Sequence, residues 1–314
     1  MKILVTGGSG FIGSHLIDRL LDRGEQVVCI DNMSLGNSIN LSYALEHSNF
    51  KLYIEDLLNY HEIEKVFRVE QFEMVYHLAA NSDIQLGYNN ISTDYKNTLL
   101  TTYNILSCMK NFDVGKLVFA SSSAIYGDHD NPLSENSGPL EPVSNYGAAK
   151  LASEAFISSF STGYGMKSWV IRFPNIIGPR LTHGVIYDFL NKLKQNSNEL
   201  LILGNGKQKK PYLFVTDLLN AIDLIVKLAE KTVNIFNVAP NSLSTVDFIA
   251  NSIISALNLE NVTKKYSGGN RGWVGDVPKF QYDTTKISML GWKPTFTSDE
   301  AIIKSIREEI EFRK

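Results

Sequence analysis

Short apolar runs rich in β-branched residues alternate, along the first half of the chain, with longer stretches whose apolar residues recur every three or four positions. Residues 2–6 predict a strand. Residues 11–23 predict a helix, with Leu16, Ile17, Leu20 and Leu21 as its apolar stripe. Further strands are predicted over 26–30, 51–54, 74–78, 116–121 and 167–172, and further helices over 93–110 and 146–160. Alternation of this kind builds βαβ units. The expected fold class is therefore α/β, a doubly wound parallel sheet covered by helices on both faces. Such a sheet takes its ligands beyond the carboxyl ends of its strands.

Past Arg172 the texture changes. Residues 173–180 carry Pro174, Gly178 and Pro179 and read as loop. Later elements are irregular, with turn signals at Gly204-Asn205-Gly206 and Gly268-Gly269-Asn270. The expected organisation is a ligand-binding α/β domain over 1–172 and a smaller, mixed α/β C-terminal lobe over 173–314, mainly for substrate. Residues 211–240 are expected to pack back onto the sheet. No internal repeat or low-complexity tract is visible.

Composition removes several function classes. Hydrophobic residues are 44% and charged residues 20% of 314, an ordinary globular balance with enough chain for a large core or two lobes. A net charge of −3 supplies no bulk basic field, so no nucleic-acid partner is expected. The apolar runs are strand-sized, too short to span a membrane. The start, Met1-Lys2-Ile3-Leu4-Val5, enters a strand without the features of a signal peptide. Cys29 and Cys108 lie in apolar strand and helix patterns and are expected to be buried, reduced and inert. A cytoplasmic protein without a metal site is the expectation.

The strongest local motif is Thr6-Gly7-Gly8-Ser9-Gly10-Phe11-Ile12-Gly13, between the first strand and its helix. Gly7, Gly10 and Gly13 match G-x-x-G-x-x-G, and Gly8, Gly10 and Gly13 match G-x-G-x-x-G. Either way a glycine turn lets the backbone approach a pyrophosphate seated on the positive end of the helix. Gly13 would let helix and strand pack closely. A tight turn alone would also use glycine, but strand and helix stand on the correct sides for dinucleotide binding. Asp31 ends the second strand, where a carboxylate accepts from the adenosine ribose and repels the extra phosphate of NADP. No Arg or Lys lies between Asp31 and Leu45. NAD is thus the expected cofactor, although Asp31 could simply start a turn with Asn32. Asp56 and Leu57 follow the third strand, within reach of an adenine. His77-Leu78-Ala79-Ala80 closes the fourth strand, where small residues admit a cofactor; His77 reads as a packed residue.

Tyr146 and Lys150 are four residues apart at the start of a predicted helix, so both project from one face. Lys150 could then lower the pKa of the Tyr146 phenol, which is near ~10 when free and too high for a good base at neutral pH. Ser122, on the loop after the fifth strand, could bind the same substrate oxygen. Together they describe hydride chemistry on a secondary alcohol. Taken alone, Tyr-x-x-x-Lys is also an ordinary surface pair.

The order of these segments resembles the extended short-chain dehydrogenase/reductase superfamily, in its nucleotide-sugar epimerase branch. The likeness runs through Gly7–Gly13, Asp31-Asn32, Asp56-Leu57, His77–Ala80, Asn97, the SSSAIYG stretch from Ser121 to Gly127, Tyr146–Lys150 and the RFPNIIGPR stretch from Arg172 to Arg180, then through residues 204–212, 271–276 and 290–294. It implies a Rossmann domain with NAD held by Gly7, Gly10, Phe11, Ile12, Gly13, Asp31, Asn32, Asp56, Leu57, Leu78, Ala79, Ala80, Asn97, Tyr146 and Lys150. It implies Tyr146, Lys150 and Ser122 as the catalytic set.

The same resemblance sorts the reactions. Dehydratases of the family carry Thr-Asp-Glu where this chain has Ser122-Ser123-Ala124, and decarboxylases keep the Glu; Ala124 can do neither job. Epimerisation beside the ketone needs a further acid/base pair, for which the two cysteines are misplaced. What remains is 4-epimerisation through a transient 4-keto sugar. The alternatives are a 4-dehydrogenase that releases the keto sugar to a separate oxidant, or a non-catalytic dinucleotide-binding protein. The resemblance places a nucleotide-diphosphate sugar on Ser82, Ser122, Ser123, Tyr146, Asn175 and Arg271. Ser82-Asp83-Ile84-Gln85 matches the loop that touches the hexose. The family's Arg-Asp is replaced by Lys210-Pro211, and Arg271 stands four rather than two residues before Gly275-Asp276. Trp273 is a candidate for stacking on base or sugar; His183 and Tyr187 are candidates for reaching substrate. Helices 93–110 and 146–160 form the homodimer interface in many relatives, so a homodimer is expected.

Overall fold

The computed structural model describes residues 1–129, 132–272 and 277–314. The chain forms two compact units, Met1–Ile125 with Ser144–Arg172 and Ile222–Phe236, and Tyr126–Val143 with Phe173–Ala221 and Asn237–Lys314.

The first unit is built on a seven-stranded sheet: β1 (Lys2–Thr6), β2 (Gln26–Asp31), β3 (Phe50–Ile54), β4 (Met74–His77), β5 (Lys116–Ala120), β6 (Lys167–Arg172) and β7 (Val233–Asn237). Their order is β7-β6-β5-β4-β1-β2-β3. The pairs β1–β2, β1–β4, β2–β3, β4–β5 and β5–β6 are parallel, with Thr6 opposite both Ile30 and His77. The strand order reverses beside β1, which makes the carboxyl ends of β1 and β4 the switch point where a doubly wound sheet opens for ligand. Leu4, Val28, Ile30, Phe67, Val75, Leu106, Phe119 and Val170 are buried in the core between sheet and helices. Six of the seven strands follow from the apolar pattern. The seventh, β7, is a short V-N-I-F-N run after the second unit's chain has intervened, and its pattern alone does not assign it to this sheet.

The second unit has three short pairings. Asn175–Ile177 lies parallel to Tyr212–Phe214, Glu199–Ile202 parallel to Thr263–Tyr266, and Lys209–Lys210 antiparallel to Ser244–Thr245. Its helices include Val185–Gln195, Val246–Ala256 and Ser298–Phe312, the last opened by a capping box of Thr297 and Glu300.

Three expectations change in detail. Residues 173–180 are not loop throughout, because Asn175–Ile177 finds a strand partner. The helix expected over 93–110 runs from Ser92–Asp94 through a π-helical turn, Tyr95–Leu100, into Thr101–Asn111. The wide turn has a local cause: the Thr98 carbonyl accepts both the Thr101 and Thr102 hydroxyls, and the Thr98 hydroxyl accepts the Asn81 amide. Lastly, the unit boundary differs from 172/173. Tyr126–Val143 belongs to the second unit, and Ile222–Phe236, rather than all of 211–240, joins the first.

Candidate active site

At the end of β1 the chain turns through Gly7, with φ +71°, into the helix Phe11–Asp22. A Cβ on Gly7 would lie 2.7 Å from the Ala79 nitrogen, so the turn and the end of β4 meet at backbone distance. A Cβ on Gly13 would lie 2.2 Å from the Gly7 carbonyl oxygen, so the helix sits directly on the turn. No side chain caps the helix N-terminus, and no acidic residue occupies its first turn. The amides of Phe11, Ile12 and Gly13 are therefore left to an anion. Asp31 is buried, one carboxylate oxygen accepting from the Ser9 amide at 2.9 Å and the other from the Met33 amide at 2.8 Å. Asn32 donates to Asp56 at 3.1 Å, while Leu57 is buried and Leu78, Ala79 and Ala80 are half-buried. An uncapped helix end, a glycine cradle that a Cβ would fill and an acid at the tip of β2 fit a dinucleotide lacking a ribose phosphate.

His77 is fully buried between Thr6 at 2.7 Å and Thr102 at 3.0 Å, and its ring stacks on Phe119. Burial, with Lys150 adding to the effect, lowers its pKa to about 3. It is a packed, neutral histidine, as its place in the sequence suggested. Burial likewise pushes both cysteine thiols up, Cys108 to about 12, so both are free but unreactive.

The helix Asn145–Tyr164 starts at Ser144, whose hydroxyl accepts the Gly147 amide, and stops at Gly165 in the left-handed region. Its first turns carry Tyr146 and Lys150. Lys150 is buried and donates to the Ala120 carbonyl at 2.6 Å, at the tip of β5; its Nζ lies 5.9 Å from the Tyr146 ring centre and 4.7 Å from that of Phe119. Desolvation lowers Lys150 to about 7, opposed by Glu154 and Asp94. The Tyr146 ring is half-buried, but its phenol oxygen is desolvated and rises to about 12, against a hydrogen bond from Ser122 that works the other way. The fold thus brings Ser122, Tyr146 and Lys150 together at the tip of β5. Ser122 also accepts the Ala124 amide at 3.2 Å, in the turn Ser123–Ile125.

Sequence reasoning missed the carboxylates behind this constellation. Glu154, one turn beyond Lys150, is buried and takes Ser121 at 2.5 Å and Arg172 at 3.0 and 2.6 Å. Its i+4 spacing from Lys150 was a usable signal. Asp94, also buried, has no signal in the sequence, since fifty-six positions separate it from Lys150. Asn97 is exposed on the π turn, Ser82 is half-buried, and Asp83 caps the helix Ile84–Asn89 by accepting the Leu86 amide.

In the second unit, Asn175 is exposed at the head of its strand and donates to the Pro211 carbonyl at 3.4 Å. Arg271 is ion-paired with Asp128 at 2.6 Å, both about half-exposed. Tyr187 lies under the Arg313 guanidinium, and His183 meets Thr182 at 3.1 Å. Trp273, Gly275 and Asp276 lie outside the described residues, as does the side chain of Gln85.

A family model, NAD dependent epimerase/dehydratase family, matches residues 3–239. The chain belongs to that family. This member is 31% identical over 306 residues to a protein of Methanocaldococcus jannaschii provisionally named UDP-glucose 4-epimerase, covering 96% of this chain and 95% of that one. Among solved structures it is similar to a UDP-galactose 4-epimerase, at 34% identity, 99% of both chains and a TM-score of 0.87. It is also similar to a Thermus thermophilus UDP-glucose 4-epimerase complex with NAD, at 28% identity, 100% and 99% of the two chains and a TM-score of 0.86. The human dTDP-D-glucose 4,6-dehydratase is 26% identical over 313 residues, covering 97% and 89%. The family's reactions therefore have to be separated by side chains at the site, and in this member the position after Ser122-Ser123 is Ala124, a methyl group. No helix among the described residues is long and apolar enough to cross a membrane, and no group of metal-binding side chains occurs among them.

Proposed function

We propose that this chain is an NAD-dependent nucleotide-sugar 4-epimerase. The observation that carries the reading is Ser122, Tyr146 and Lys150 gathered at the tip of β5, with Ala124 where an eliminating enzyme needs an acid. Gly7, Gly10, Phe11, Ile12 and Gly13 would hold the pyrophosphate and Asp31 the adenosine ribose, with Asn32, Asp56, Leu57, Leu78, Ala79, Ala80 and Asn97 around them. When bound, NAD supplies a reversible hydride acceptor and a positive charge. Tyr146 Oη takes the proton of the sugar C4 hydroxyl and later returns it. Ser122 Oγ holds the same oxygen in line, and Lys150 Nζ supplies the cationic surroundings that a tyrosinate needs. Ser82, Ser123, Asn175 and Arg271 are assigned to the nucleotide sugar, and Arg271 would exchange its Asp128 partner for a diphosphate. The reading includes a cytoplasmic location and a homodimer; for the homodimer, Tyr95, Tyr103, Phe156 and Tyr164 leave aromatic surface exposed on the two helical stretches expected to pair.

The test follows absorbance near 340 nm with NAD and a panel of UDP-, GDP-, dTDP- and CDP-sugars, with product analysis. A C4-inverted sugar without net NADH is the expected result. Stoichiometric NADH with a released keto sugar would replace the epimerase by a 4-dehydrogenase.

A further inference from the structure

We propose that Asp94 is a positioning residue for the Tyr146–Lys150 pair, a buried counter-charge carried on the Ser92–Asp94 turn, which packs against the helix Asn145–Tyr164. The inference rests on the reading of that pair as the acid/base set of the site.

Asp94 is 1% exposed. One oxygen accepts from Asn81 Nδ2 at 2.8 Å. The other is buried and receives no donor among the described residues. It abuts Gly87, where a Cβ would lie 1.9 Å from it, so only an α-carbon faces it there. A buried carboxylate with half its accepting capacity unmet is costly, and structural duties alone would be served as well by a neutral amide. Burial pushes the Asp94 carboxyl above the usual carboxylate range, and the Asn81 bond and the Lys150 ammonium pull it back; Asp94 in turn favours the Lys150 ammonium and its charge is felt at Tyr146.

The neighbouring charges leave this task to Asp94. Glu154 also favours the Lys150 ammonium, but it is gripped by the Arg172 guanidinium through two bonds. His77 on β4 is buried and held neutral. Asp83, at the head of the helix Ile84–Asn89, faces Asp94 with like charge and makes its ionisation harder. Asp94 thus acts on the pair with one sign. Its negative charge keeps a proton on Lys150 and on the Tyr146 phenol, so removing it releases the pair's first proton at lower pH.

The experiment is a tyrosinate titration near 295 nm of the full-length protein without nucleotide sugar, the Tyr146 signal being isolated by subtracting Tyr146→Phe in each background. Asp94→Asn, which keeps an oxygen for Asn81 Nδ2, is expected to lower the midpoint by about 0.5–1 pH unit, and Asp94→Glu to restore it in part. The acid limb of kcat/KM should shift by the same amount. A folded Asp94→Asn protein with an unmoved midpoint would reduce Asp94 to a loop anchor. Should Asp94→Asn fold poorly, a stability cycle with Lys150→Met decides. Coupling predicts that Asp94→Asn rescues Lys150→Met, whereas additive losses overturn the proposal. The titration and the stability cycle need no turnover, so a midpoint shift in a protein without epimerase activity would indict only the functional reading.

Discussion

Tyr146, Lys150 and His77 show how burial assigns roles to titratable residues. Tyr146→Phe is expected to leave folding and NAD binding intact and to cut kcat by about 10²–10⁴-fold, the usual worth of a positioned acid/base. Near-normal turnover would remove Tyr146 from the mechanism. His77 makes a thermodynamic prediction. Its pKa falls to about 3 in the folded protein, from about 6.5 in the unfolded chain. The unfolded chain therefore binds the extra proton between those values, so the stability His77 contributes is whole above pH ~6.5 and is lost as the pH falls. Urea unfolding should show about 2 kcal/mol less stability at pH 5 than at pH 7 from this residue, and His77→Gln should flatten that slope. An unchanged slope would mean that His77 is solvated. Both roles were readable in part from the sequence. Tyr146 announced itself by spacing, and His77 by sitting in a strand destined for burial; the sizes of the shifts depend on neighbours that only folding supplies.

Among the elements, the β1 turn and its helix carry the binding physics. The helix Phe11–Asp22 can approach β1 only because Gly13 has no side chain to strike the Gly7 carbonyl at 2.2 Å. Gly13→Ala should therefore displace the helix start and weaken NAD binding by at least tenfold in calorimetric titration, with the rest of the sheet intact. Unchanged affinity would place the pyrophosphate elsewhere. Glycine spacing made this element legible. The π turn at Tyr95–Leu100 was not legible, because the hydroxyl bonds of Thr101 and Thr102 to Thr98 widen one turn without altering the apolar periodicity on either side.

For the whole molecule, the prediction concerns association. Tyr103 and Phe156 remain 43% and 41% exposed and meet edge to face at 5.6 Å across two neighbouring helices. If these helices form the homodimer face, Phe156→Glu should turn a dimer into a monomer in sedimentation velocity while leaving the thermal transition cooperative. A wild-type protein that sediments as a monomer would sink the idea. The sequence changes texture after Arg172, but the course of the chain between the two units is not marked in it. Residues 126–143 and 222–236 are assigned by the partners they find, and a chain that leaves one unit and returns carries no local mark of doing so.

The sequence by itself determined the alternation of strands and helices, the glycine turn, the acid at the tip of β2, the Tyr146–Lys150 spacing and the missing acid at Ala124, because each is encoded within a few neighbouring residues. Only the tertiary structure decided that Val233–Asn237 joins the sheet, that Arg172 closes on Glu154, and that Asp94 is buried on a turn packed against the helix that carries Lys150. These are encounters between residues far apart in the chain. Their energetics come from removing charge from water, and that happens only once the core has formed.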